Sequence, residues 1–169
     1  VQNLKQIEKI LYCGVEKISL NSAAFSDPRF VRQAADRFGS STIVVSIDVK
    51  KTLFGGYKAF TVSGSKNTRM DPITFAKMAE DSGAGEILLN SIDADGTMQG
   101  YDFDLLRMVS SAVSVPVIAS GGAGSLKDMK RAINESGASA VAAGSFFVFQ
   151  GSHRAVLITY PDRQDFERV

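Results

Sequence analysis

Residues 86–96 read EILLNSIDADG, an apolar segment that runs into a cluster of small and acidic polar residues. Four other stretches follow the same plan: KISLNS at 17–22, TIVVSIDVK at 42–50, PVIASGGAG at 116–124 and SAVAAGSFF at 139–147. Short, near-continuous apolar runs suit parallel strands covered on both faces. Polar groups gathered at strand ends are the mark of a (β/α)-barrel whose C-terminal face carries a reaction site. The expected fold class is therefore α/β, with five strand–helix units of such a barrel.

Helical spacing fills the intervals between these segments. Leu4, Ile7, Ile10 and Leu11 share one face before Gly14, and Phe30, Val31, Ala34 and Phe38 share another before Gly39. Asp27-Pro28 and Asp71-Pro72 read as helix starts, with proline at the first helical position. Further helices are expected at 102–111 and 126–135. The exits CGVEKI (13–18), SGAGEI (82–87) and ESGASAV (135–141) each use glycine to end a helix before a buried strand. Residues 51–64, KTLFGGYKAFTVSG, alternate around Gly55-Gly56 as a β-hairpin inserted above the barrel end, a lid, a docking surface or a plain excursion. The tail FVFQGSHRAVLITYP, 147–161, is read as an aromatic strand exit joined to an apolar helix. A doubly wound open sheet remains compatible with this local pattern.

Length and charge narrow the possibilities. The chain has 169 residues, 44% of them apolar and 22% charged, enough for one sizeable core. A closed eight-stranded barrel usually takes about 250. Nineteen basic and 18 acidic residues, spread without a block, give a net charge of +1 and no electrostatic case for nucleic acid or a membrane surface. A single cysteine, Cys13, excludes an internal disulfide framework and suits the cytoplasm. No apolar run approaches the roughly 20 residues of a membrane span, and the first ten residues do not resemble a secretion signal.

The strand ends supply the groups for chemistry. Gly121, Gly122 and Gly124 precede a helix, and Gly144-Ser145 close the next strand, which makes the pair of loops a candidate phosphate clamp. Asp48 is either an acid/base group or a structural carboxylate. Asp93 and Asp95 offer too few oxygens for a calcium loop. They would hold substrate hydroxyls or shape their own turn. Asn21, Ser22 and Ser120 would hold a second anion or a polar ring, with helix capping the alternative for Ser22 and for Ser125. Lys17 and Glu86 enter at the opposite strand ends and would pair, as a structural salt bridge or as a gate. His153 has no metal-binding neighbours in sequence, so no metal is expected.

Taken together, SLNSAAF, VSIDVK, GSKNT, GAGEILLNSIDADGTMQGYD, IASGGAG and AAGSFF resemble the cyclase subunit of imidazole glycerol phosphate synthase, in motif order and spacing, over nearly the whole chain. The resemblance implies a partial (β/α)₈ TIM barrel made of about the last five strand–helix units, residues 1–169 forming the C-terminal portion of one domain. It implies a cyclase and lyase that takes ammonia as co-substrate from a glutamine amidotransferase partner, with no cofactor, and acts on a phosphorylated ribonucleotide.

The site carries over residue by residue. Asp48 would be one of two acid/base aspartates. Asn21, Ser22, Asn90, Asp95, Gly96 and Ser120 would bind substrate, Asn90 standing where threonine is common. Gly121, Gly122, Gly144 and Ser145 would surround a phosphate. Lys17 and Glu86 would be two members of the ammonia gate. The other aspartate, a lysine and two gate charges belong to early strands that have no match here, so self-association or a separate N-terminal segment would complete the barrel. KTLFGGYKAFTV, the tail and Arg69 in a common glycine position look more like relatives that supply ammonia for acetamidino sugars of surface polysaccharide. An inactive glutaminase-binding scaffold is the remaining alternative.

Overall fold

Every longer helix begins on a side chain that closes its first turn. In the computed structural model, which describes residues 1–53, 55–151 and 153–167, α1 (Leu4–Tyr12) starts at Asn3, α3 (Pro28–Phe38) at Asp27 and α4 (Pro72–Asp81) at Asp71. Likewise α5 (Phe103–Ser110) starts at Asp102 and α6 (Leu126–Ser136) at Ser125. In each case the side-chain oxygen accepts from a backbone N–H that the helix leaves unpaired. Shorter helices, α2 (Ser22–Ser26), α7 (Ser145–Val148) and α8 (Arg163–Glu167), complete the set. Phe54 of the expected hairpin and Ser152 of the tail lie outside the described residues.

The strands alternate with these helices. They are β1 (Ile18–Leu20), β2 (Ile43–Lys51), β5 (Glu86–Ser91), β6 (Val117–Ser120) and β7 (Ala140–Val141), all parallel and paired in chain order. Order without reversal is that of a barrel wall, since a doubly wound sheet turns back at a switch point. The structure is thus a partial (β/α)₈-like barrel. The hairpin is real and continues β2: β3 (Tyr57–Thr61) runs antiparallel to its upper half, and β4 (Lys66–Asn67) pairs with β3. Because β1 pairs only with Ile43–Val45, the same edge of β2 is free higher up to receive β3.

Alternation along the strands divides the wall into two faces. Ile43, Val45, Ile47 and Val49 are fully buried beneath α3 and α4, joined by Ile87, Leu89, Val117 and Ala119. Phe75, Leu105, Leu106 and Val109 fill the space between strands and helices. Gly85 is required at one crossing, where a Cβ would collide with the carbonyl of Ser40.

Two readings change. The fifth strand is shorter than its apolar run, being Ala140–Val141 alone. The tail is not an apolar helix: β8 (Phe149–Gln150) and β9 (Ala155–Val156) form an antiparallel hairpin, and Leu157 and Thr159 continue its bonds to Val148 and Phe147. Val156, Ile158 and Thr159 are β-branched and favour an extended backbone over a helix. Leu157, Ile158 and Tyr160 are consequently exposed, with Tyr160 stacked on Phe147.

Two carboxylates tie separate elements together. Asp102 caps Leu105, accepts from the Tyr57 hydroxyl at 2.9 Å and meets the Lys51 ammonium at 3.2 Å. That contact raises the Lys51 pKa, chiefly through the hydrogen bond to Asp102. Asp102→Ala is expected to lower the unfolding free energy by about 3 kcal/mol, measured by urea denaturation. Glu80 accepts from Ser114 N at 2.8 Å, from the Ser114 hydroxyl and from Val115 N, and these bonds hold its carboxyl below the ordinary range. Its stabilisation is present above the unfolded-state pKa and lost as pH falls through the lower folded value. Glu80→Gln is therefore expected to flatten the acid-side fall in melting temperature below about pH 4.5.

Candidate functional site

Parallel register carries the side chains of the concave face into rows. Across β2 and β5, Val44, Ser46 and Asp48 stand opposite Glu86, Leu88 and Asn90. Across β5 and β6, Leu88 and Asn90 stand opposite Ile118 and Ser120. Asp48, Asn90 and Ser120 thus form one row at the C-terminal strand ends. The Asn90 amide donates through Nδ2 to Asp48 Oδ1 at 3.2 Å, while its buried Oδ1 meets no donor among the described residues. Asn90 thus gives Asp48 a neighbour that donates to its carboxylate and leaves a second polar atom beside Gly121.

Next to that row is a pocket of about 280 Å³. Asp95, Gly96, Ser120, Gly121, Gly122, Gly144 and Ser145 line it, so the two glycine loops and the turn after β5 converge on one pocket. Packing alone explains part of the glycine content. Gly122 accepts from Gly100 N at 2.8 Å, and a Cβ on it would collide with the Gly100 carbonyl. Gly144 is different, because a Cβ there would meet nothing within 4 Å.

The remaining expected residues lie apart from this pocket. Asn21 donates to Ser46 O at 3.0 Å, and the Ser22 hydroxyl accepts from Val62 N at 3.1 Å, tethering the hairpin to the end of β1. Ser125 caps α6. Asp93 shapes the loop by accepting from Lys51 N at 2.7 Å. His153 and Cys13 are exposed. At the other end of the strands Lys17 Nζ lies 2.8 Å from Glu86 Oε1 and also donates to Ser41 O at 2.9 Å. Glu86 is four positions below Asn90 on β5, about 13 Å along the strand. The pair therefore sits at the opposite end of the wall from Asp48.

Some residues of the mouth escaped the sequence reading. Lys50 and Lys58 share the concave face with Asp48, a placement that the period of two from Asp48 would have given for Lys50. The Tyr101 hydroxyl donates to Ala142 O at 3.0 Å, bridging the loop after β5 to the pocket wall, and burial pushes its pKa up to about 12. Arg154 reaches from the tail hairpin to Gly96 O at 2.7 Å. Nothing local in the sequence announces either bridge. Among the described residues no group of three or more His, Cys, Asp or Glu is placed to hold a metal ion, and no helix is long and apolar enough to cross a membrane.

The two glycine loops make contrasting stability predictions. Gly121 has φ of +86°, and a Cβ would lie 2.5 Å from Ser91 O, so Gly121→Ala is expected to cost about 3 kcal/mol in urea unfolding. Gly144→Ala is expected to change stability by less than about 0.5 kcal/mol. Lys17 and Glu86 side chains are 44% and 22% exposed, and Glu86→Gln is expected to cost at most about 1 kcal/mol.

The arrangement has known counterparts. A family profile described as Histidine biosynthesis protein matches residues 1–154. A provisionally named imidazole glycerol phosphate synthase subunit of Pseudomonas aeruginosa is 48% identical over 162 residues, covering 96% of this chain and 64% of that protein. Proteins with the same provisional name from Leptospira interrogans, 47% identical over 170 residues, and Vibrio vulnificus, 46% identical over 162, cover 100% and 95% of this chain. The chain spans 67% and 62% of their respective lengths, so it corresponds to about two thirds of each relative. The chain belongs to the histidine biosynthesis protein family, as a member resembling the cyclase subunit of imidazole glycerol phosphate synthase.

Proposed function

We propose that this chain is the C-terminal portion of an ammonia-dependent cyclase barrel that works with a glutaminase partner. The reaction is the conversion of phosphoribulosyl-formimino aminoimidazole carboxamide ribonucleotide to imidazole glycerol phosphate and an aminoimidazole carboxamide ribonucleotide. The observation that carries this reading is the row of Asp48, Asn90 and Ser120 beside the pocket between the glycine loops.

The mechanism follows from that juxtaposition. A phosphate seated at Gly121, Gly122, Gly144 and Ser145 fixes one end of an elongated substrate, and Asp95, Gly96 and Ser120 bound the same pocket. Fixing that end turns binding energy into orientation of the reacting atoms. Asp48 then moves protons during ammonia addition and ring closure. Asn90 steadies its carboxylate through the 3.2 Å bond, and Asn21 and Ser22 hold the hairpin side of the mouth. The second acid/base aspartate of the family belongs to its first strand and has no counterpart among these five parallel strands. Lys17 and Glu86 guard the base, where a docked glutaminase delivers ammonia along the barrel axis.

One observation favours a second reading, supply of ammonia for acetamidino-sugar synthesis. Two departures from the cyclase pattern have local structural consequences: Arg69 keeps a left-handed backbone, with φ of 63°, in a common glycine position, and the tail hairpin reaches Gly96. In that branch the same wall conducts ammonia without closing a ring.

The deciding assay uses the chain joined to the segment that its relatives carry beyond the matched share. With ammonium salt and the ribonucleotide, Asp48→Asn is expected to lower turnover by at least about a hundredfold. Equal turnover in both proteins would sink the cyclase reading. Gly144→Ala, whose added Cβ meets nothing within 4 Å, is expected to raise KM for the phosphorylated substrate about tenfold while the urea midpoint stays in place.

A further inference from the structure

Lys50 and Lys58 face each other directly across β2 and β3. Their strand neighbours Val49 and Ala59 are fully buried against the helices, so both lysines project from the opposite, concave face, two register pairs above Asp48 and Phe60. Like charges directly opposite in an antiparallel pair repel. Lys50 is partly relieved: its Nζ donates to Gly64 O at 3.0 Å and lies 5.0 Å from the centre of the Phe60 ring. An ammonium has three N–H donors, and that single hydrogen bond uses one of them. Lys58 has no hydrogen-bond or ion-pair partner for its ammonium among the described residues, and both side chains are half-buried. Lys17, Lys51, Arg107 and Arg131, by contrast, each meet a carboxylate.

From this juxtaposition we infer that Lys50 and Lys58 form an anion-binding site on the hairpin side of the mouth, suited to a phosphate monoester. A phosphate placed between two ammonium groups relieves their repulsion and takes up their free donors with charge-assisted bonds. The site is separate from the glycine pocket, which draws none of its lining from β2 or β3. Asn21 and Ser22, the neutral groups nearest the hairpin, already bond to Ser46 O and Val62 N, so the strongest remaining anion chemistry on that side belongs to the lysines. Assigning the anion to the second end of an elongated phosphorylated substrate rests on the proposed function. The anion site itself rests on the register and the charges.

The test is titration of the ¹⁵N-labelled full chain with inorganic phosphate at constant ionic strength, with chloride as the balancing anion. Two groups of amides are expected to shift, one around Gly121, Gly122, Gly144 and Ser145 and one at Lys50, Lys58 and Phe60. Lys58→Gln is expected to weaken phosphate binding at the hairpin group about tenfold, to leave the glycine group unchanged, and to be rescued by Lys58→Arg. Hairpin amides that stay still, or a Lys58→Gln titration matching that of the unaltered chain, would overturn the site. Movement of the hairpin group with a silent glycine group supports the lysine site and counts against the proposed function instead.

Discussion

The ladder along β2 is the constraint on which everything else depends. Its nine residues pair with β1 at the foot, with β5 along most of one edge and with β3 at the top of the other. Ile43, Val45, Ile47 and Val49 are fully buried on the helix side, and that burial locks the register. A slip of one residue would send Asp48 into the core and four aliphatic side chains to the mouth. The ladder therefore sets three things at once: the position of Asp48 beside Asn90, the hairpin above β1 and the projection of Lys50 toward Lys58.

What could be read from sequence was whatever local physics decides. Asp27-Pro28 and Asp71-Pro72 mark helix starts because a cap and a fixed φ act within one turn. The polar positions Asn21, Asp48, Asn90 and Ser120 were legible because apolar runs give way to polar residues there, although β2 itself continues past Asp48 to Lys51. The tail was misread because a short apolar run such as AVLIT is compatible with a helix or a strand until its partners are known. Phe147 and Val148 proved to be those partners.

Non-local approach decided the remainder. Gly122 is needed where the Gly100 carbonyl comes close, a contact between two loops far apart in sequence, so a glycine-rich motif alone could not separate packing from phosphate binding. Asp93 and Asp95 look equivalent as DAD, yet one accepts from the hairpin backbone and the other lines the pocket. The bridges from Tyr101 to Ala142 and from Arg154 to Gly96 also depend on the closed fold. The base of the wall is simpler, for Lys17 and Glu86 satisfy each other across the foot of β2.

The central claim is that the row containing Asp48 and the pocket between the glycine loops serve the same phosphorylated ligand. A crystal structure of the chain with imidazole glycerol phosphate tests it most directly. The account predicts phosphate oxygens on the backbone of Gly122 and Gly144 and an imidazole nitrogen within about 3 Å of an Asp48 carboxylate oxygen. A phosphate bound elsewhere, or a ring turned away from Asp48 with the phosphate in the pocket, would contradict it.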